Sequence, residues 1–127
     1  MENKIYMQNI YEHKCLRIVF KDHFTEPQAK EYIQTINNKI KEALPDKLCM
    51  IWDCSTMSGY DSAARVAWQQ FMKENKEYLG DIWIISKNKI LTTIAKAMAL
   101  LTNYKLHTAS DDADLMAKMA NMIVAVK

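Results

Sequence analysis

The sequence predicts a single α/β domain in which helices pack against a mostly parallel or mixed sheet. Three observations carry this. Segments rich in β-formers alternate with helix-periodic segments in the order ββαβαβαβα. Residues 48–52 form a nearly continuous apolar run, the pattern of a strand covered on both sides. Ala29, Tyr32, Ile33, Ile36, Ile40, Ala43 and Leu44 recur at the three-and-four spacing of one buried helix face. The expected architecture is a central five-stranded mixed sheet with four helices, formed by residues 1–127 as one domain.

Residues 5–11 and 15–20 read as the first two strands, separated by Glu12-His13-Lys14 in a hairpin-like entry. Thr25 then offers a hydroxyl cap and Pro27 sits in the first turn of a helix, where its missing N–H costs nothing. Pro45-Asp46 ends that helix near Leu44. The third strand stops at Asp53 and is followed by a short turn containing Gly59. A second helix opens at Asp61-Ser62 and runs to Tyr78, where Gly80 closes it. Ala64, Ala67, Trp68, Phe71 and Tyr78 form its inner side, and Ser62, Arg65, Gln69 and Lys73 its outer side.

Residues 82–85 repeat the strand pattern, Ser86 to Asn88 start a third helix through Leu101, and residues 105–108 make a fifth strand. Ser110 with Asp111, Asp112 and Asp114 complements the positive start of a fourth helix, whose apolar positions include Leu115, Met119, Met122 and Val126. The last two helices are more apolar around their circumference than a surface helix needs. Leu100 faces away from Ile94, Met98 and Leu101, and the fourth helix carries Met116, Met119 and Met122, with Val124 outside the main stripe. Methionines line cores most often and adaptable binding surfaces or lipid pockets less often. Self-association through one of these helices is therefore expected.

Composition excludes several classes. The 127 residues include 17 basic and 15 acidic side chains of interspersed sign, a net charge of +2, so no stripe exists to neutralise nucleic-acid phosphates. The three cysteines, Cys15, Cys49 and Cys54, form no C-x-x-C pair and suit a reducing cytoplasm. The segment MENKIYMQNIYEHK lacks the form of an export signal, and the most apolar run, residues 90–101, is too short and too interrupted to span a bilayer.

Metal and catalytic patterns are also missing. His13 and Cys15 are two apart, but His23 and His107 have no ligand spacing to them, so no metal site is expected. With only Gly59 and Gly80 there is no phosphate-binding loop, dinucleotide fingerprint or nucleophile elbow. No enzyme activity and no cofactor are expected.

The most informative stretch joins the third strand to the second helix. Its phrase MIWDCSTMSGYDSAARVAW, within this element order, resembles the STAS domain and in particular the SpoIIAA-like proteins, whose best-known members are anti-sigma-factor antagonists. In those antagonists a strand ends in an acidic or amide residue, and an Asp-Ser pair at the next helix start carries the phosphorylatable serine. Asp53 and Asp61-Ser62 stand at matching positions. The resemblance thus implies a SpoIIAA-like fold, a regulatory role through protein binding, Ser62 as the modified residue, and an anti-sigma factor or kinase as partner. The chain departs from the antagonists at Ala63-Ala64-Arg65, where they continue with a small polar residue and glycine. The longer phrase GYDSAARVAWQ, followed by DIWIIS, looks closer to a less characterised SpoIIAA-like branch, some of whose relatives resemble lipid-binding Sec14-type proteins.

The residues themselves leave more than one role open. A phosphate on Ser62 would face the unpaired amides and positive dipole end of the second helix, whereas Asp61 or Ser62 as a helix cap is the commoner arrangement. Asp53 could meet a metal or a basic side chain, or accept hydrogen bonds from the turn formed by residues 55–59. Arg65 could pair with a phosphate or an acidic partner, or remain solvated. Ser58, Gly59 and Tyr60 complete the turn, and Val66 between Ser62 and Gln69 would centre an apolar docking spot. A carrier of a small apolar molecule, held between the sheet and the apolar helices, is the competing class. A structural homodimer with neither switch nor ligand is the third.

Overall fold

The computed structural model describes residues 4–126, with side chains through Met122. The elements are β1 (Ile5–Met7), β2 (Cys15–Phe24), α1 (Glu26–Ala43), β3 (Leu48–Tyr60), α2 (Ser62–Glu74), β4 (Leu79–Ile85), α3 (Lys89–Leu101), β5 (Leu106–Ala109) and α4 (Asp112–Val126). They form one five-stranded sheet in the order β1-β2-β3-β4-β5. The edge strand β1 is antiparallel to β2, and every other pair is parallel.

Sequential parallel strands joined by right-handed crossovers place their connecting helices on one face of the sheet. The core divides accordingly. Buried residues of α1, α2 and α3 pack with Leu16, Ile18, Met50, Trp52, Ile82 and Ile84 on one side. Leu115 and Met119 of α4 pack with Cys15, Ile51, Trp83 and Ile85 on the other. The alternation of β3, with Met50 and Trp52 on one face and Ile51 on the other, follows from the period of two in a strand.

Local chemistry sets the helix starts. Thr25 forms a reciprocal capping box with Gln28 ahead of α1. The Asn88 side chain accepts from the amides of Ile90 and Leu91 at the start of α3. Asp111 accepts from the Asp114 amide, while Asp114 accepts from the Ser110 amide, at the start of α4.

Several expectations are corrected. β1 ends at Met7 rather than Tyr11, because Tyr11 turns with a φ of 53° after the Ile10 to His13 bridge. α2 ends at Glu74, where the Asn75 side chain and amide both donate to the Phe71 carbonyl, so Gly80 lies within β4 instead of closing a helix. Leu101 is 69% exposed and does not join the inner face of α3. Val124 and Val126 lie outside the described side chains.

The largest correction concerns β3, which does not stop at Asp53. Ser58, Gly59 and Tyr60 belong to no turn, since Gly59 pairs with His23 and Tyr60 with Phe24 in continued parallel register with β2. The ladder absorbs irregularities between Val19 and Lys21 and between Asp22 and His23, where bulges re-aim the strand. Gly59 is there for close approach: a Cβ at this position would lie 3.3 Å from His23 Nδ1.

An aromatic group locks the helix-covered face. Phe20 meets Phe24 edge-on at 4.9 Å and Trp68 at 5.4 Å, and Trp68 lies 5.2 Å from Phe71. Replacing Ile36, which is wholly buried on α1, by alanine is expected to lower the unfolding free energy by about 2–5 kcal/mol. Lys41→Ala on the exposed side of the same helix should change it by no more than about 0.5 kcal/mol; urea denaturation of both variants checks the pair.

Candidate functional site

The site begins with a difference in strand length. β3 pairs with β4 only as far as Asp53 with Ile85, whereas it stays paired with β2 to Tyr60 with Phe24. Residues 54–60 therefore project beyond the sheet as half of a two-stranded ribbon with β2. The ribbon delivers the start of α1 and the start of α2 side by side. The Asp61 amide donates to the Phe24 carbonyl at 2.9 Å and closes this end.

Asp61 occupies the N-cap position of α2 yet makes no side-chain capping bond to it. Its carboxylate turns to the neighbouring chain segment instead, with Oδ1 2.7 Å from His23 Nε2 and Oδ2 accepting from the Glu26 amide at 3.2 Å. The His23 bond, helped by the Glu26 amide, holds the Asp61 carboxyl below the ordinary carboxylate range. Asp61 thus secures the start of α1, which corrects the expectation that it caps its own helix. Within α2 the first amide with an intrahelical partner is Arg65, donating to the Asp61 carbonyl at 3.1 Å. The amides of Ser62, Ala63 and Ala64 precede it in the first turn; Ser62 and Ala63 are exposed, whereas Ala64 is wholly buried.

Ser62 is exposed at this opening. Arg65 is exposed one turn later and makes no ion pair among the described residues, and Val66 beside it is 60% exposed. Gln69 is half-buried, as are Gly59 and Tyr60, while Ser58 is exposed on the ribbon. Ser58, Asp61, Ser62, Arg65 and Val66 therefore share the outer end of the ribbon and the first turns of α2.

Asp53 is not among them. It has the parity of Ile51 in β3 and points to the face that carries α4, where Arg17 Nη2 donates to its Oδ2 at 2.7 Å. Arg17 Nη1 also donates to Asp112 at 2.8 Å and to Gln8 Oε1 at 3.1 Å. The other carboxylate oxygen accepts from the Ser55 amide at 3.2 Å and from the Ser55 hydroxyl, which agrees with the expected local acceptor role. Burial opposes charge on Asp53, but the bonds from Ser55 and Arg17 outweigh it and hold the carboxyl below its ordinary range. Sequence reasoning passed over Arg17. Its signal was a lone cation inside the apolar strand CLRIVF, at a position that must be buried.

A second feature lies beneath the ribbon, where β3 has no β4 neighbour to cover it. An apolar cavity of about 60 Å³ opens between the ribbon, α2 and α3. Phe20, Phe24, Trp52, Met57, Trp68 and Met98 are among its lining residues, as is Arg65. Trp52 and Trp68 are 4% and 3% exposed, and the indole N–H of each has no hydrogen-bond partner among the described residues. Cys54 also lines it, with a thiol pushed by burial up to about 12 and hence unreactive at neutral pH. No group of His, Cys, Asp and Glu suited to a metal ion exists among the described residues.

Comparison with known proteins rests on the backbone. No family model and no curated protein matches the sequence. The solved structure of an uncharacterised protein from the DUF3478 family, from Shewanella loihica PV-4 and described as having a SpoIIAA-like fold, is similar to 87% of this chain over 87% of its own, with a TM-score of 0.74 and 10% sequence identity. The chain has a SpoIIAA-like fold. At 10% identity the likeness is one of architecture, and it agrees with the mixed five-stranded sheet and four helices described above. No helix among the described residues of this SpoIIAA-like chain is long and apolar enough to cross a membrane.

Asp53→Asn should destabilise the SpoIIAA-like fold by about 1.5–3 kcal/mol near neutral pH, the range for a hydrogen bond to a charged group. Because the folded carboxyl ionises below the ordinary aspartate value of 3.8, its contribution is complete above that value and is lost as pH falls through the depressed one. Thermal unfolding from pH 7 to pH 2 should therefore show the gap between wild type and variant narrowing below about pH 4; a gap constant across that range would contradict the assignment.

Proposed function

We propose that this SpoIIAA-like chain is a non-enzymatic regulatory module of the cytoplasm that binds a protein partner through the end of β3 and the start of α2. By the antagonist pattern the partner is an anti-sigma factor or a kinase. The observation that carries this reading is the open start of α2. Asp61 serves α1, so the amides of Ser62 and Ala63 lack a side-chain cap, and both residues are exposed. A phosphoryl group on Ser62 would be met by those amides and by the dipole of the helix. Arg65 and Val66 beside it supply a cation and an apolar contact on the same surface, and modification of Ser62 would change its charge without disturbing the core.

A photo-crosslinking residue placed at Val66, in the cells that make the protein, tests this. It should capture a defined protein that a crosslinker at Lys41 on the far side of α1 does not, and Ser62→Asp should reduce that adduct at least about tenfold, the effect of about 1.4 kcal/mol. Identical adducts from both positions, or an adduct indifferent to Ser62→Asp and Ser62→Ala, would contradict the regulatory docking role.

A second reading, a carrier of a small apolar molecule, is favoured by the cavity beneath the ribbon. Its wall is almost wholly apolar, and it lies between the sheet and the helices, the kind of place in which small ligands are held.

A further inference from the structure

We propose that Cys15 and Cys49 form a reversible disulfide, made when a peroxide entering the cleft at the foot of the sheet oxidises Cys49 and the buried Cys15 resolves the product. This pair lies apart from both the docking surface and the apolar cavity. Three observations carry it.

The first is register. Cys15 and Cys49 are direct partners in the parallel pairing of β2 with β3, and beside them the Cys49 amide donates to the Lys14 carbonyl at 2.9 Å. Neighbouring strands lie about 4.8 Å apart, inside the span of about 4.4–6.8 Å between the Cα atoms of a disulfide. Strand parity sends both side chains to the face that carries α4, where Cys15 lies in the core and Cys49 packs against it. Cys54 has the opposite parity and is buried on the other face.

The second is the contact between the sulfurs. The Cys49 thiol hydrogen-bonds to the Cys15 sulfur, and this bond, helped by the Ile10 amide, draws the Cys15 thiol below its ordinary range although burial opposes it. The Cys15 thiol in turn donates to the His13 carbonyl at 3.7 Å. The bond between the sulfurs, burial and the Asp81 carboxylate push the Cys49 thiol up. A proton shared in this way can pass from one sulfur to the other, so the single negative charge of the pair is available to either atom.

The third is access. Cys15 has no exposed surface, whereas Cys49 is half-buried and lines an open cleft with His13, Lys47, Asp81 and Met122. A molecule as small as a peroxide therefore meets Cys49 first and finds Cys15 behind it.

In the first step the Cys49 sulfur attacks the peroxide, the O–O bond breaks, and the leaving hydroxide takes a proton to become water. Cys49 is left as a sulfenic acid. The Cys15 sulfur then attacks the Cys49 sulfur, the S–S bond forms as the S–O bond breaks, and the departing hydroxide takes the second thiol proton. The two thiols together lose two electrons and two protons, and hydrogen peroxide becomes two waters. A dithiol reductant reverses the change by thiol–disulfide exchange. The cross-link ties the foot of the β2–β3 ladder, whose far end sets the starts of α1 and α2.

The test exposes the folded full chain to hydrogen peroxide, alkylates the remaining thiols under denaturing conditions, and maps the products by mass spectrometry. Of the three free cysteines, only Cys54 should stay alkylatable, and the segments holding Cys15 and Cys49 should be linked until dithiothreitol is added. Cys54→Ala should form the same link. Cys15→Ala should leave Cys49 as a sulfenic acid that dimedone traps, whereas the wild-type chain should give little of that adduct. If Cys15→Ala fails to fold, the wild-type and Cys54→Ala maps decide the matter. Thiols left intact by peroxide while circular dichroism shows the fold retained, a link to Cys54 or between two chains, or oxidation of Cys49 alone to the sulfinic acid would each overturn the proposal.

Discussion

The feature on which the rest of the molecule depends is the pairing of β2 with β3 beyond the point where β4 ends. Parallel strands usually stop near a common line, and their connecting helices start from it. Here the ladder runs on from Val19 and Asp53 to Phe24 and Tyr60, carried past two irregularities. That overhang sets the starting points of α1 and α2 side by side, lets Asp61 reach His23 and the Glu26 amide, and leaves a space below that no strand fills. An open helix end and an apolar cavity thus share one structural origin.

The sheet keeps two kinds of polar chemistry apart. On the α4 face, Arg17 binds Asp53 and Asp112, a partly buried network in which the missing partner of any one group would be costly. It joins the first half of β2 and the middle of β3 to the start of α4. On the other face, Asp61, Ser62 and Arg65 are open to solvent or to a partner. Asp53 and Asp61 lie in one short phrase of sequence, but strand parity sends the first to a structural network while the second shapes the exposed surface. Arg65 contributes both to that surface and to the cavity lining, so occupancy of the cavity and docking of a partner would be felt at the same side chain.

Much of this fold was legible in the sequence because burial imposes periods on it. The spacing of Ala29, Tyr32, Ile36 and Ile40, the run at residues 48–52, and the hydroxyl cap at Thr25 each report a local rule that the structure obeys. Gly59 misled because glycine favours turns when nothing else is known, and only the neighbouring His23 ring explains it within a strand. Asp61 misled similarly: a helix-start aspartate caps its own helix unless another unpaired amide lies closer, and Glu26 is far away in sequence. The Arg17 partners and the unpaired indoles depend on contacts between distant segments, which no periodicity records.

The central claim is that the start of α2 is an open anion position centred on Ser62. It is tested most directly by preparing the chain with phosphoserine at position 62 and titrating the phosphate by ³¹P NMR while recording the amide signals of residues 62 and 63, both exposed. If the helix end holds the phosphate, its second ionisation falls below the free value of about 6, and both amide signals move downfield as it ionises. Ionisation at the free value with unmoved amides would contradict the claim and reduce Ser62 to an ordinary solvated residue at a helix start.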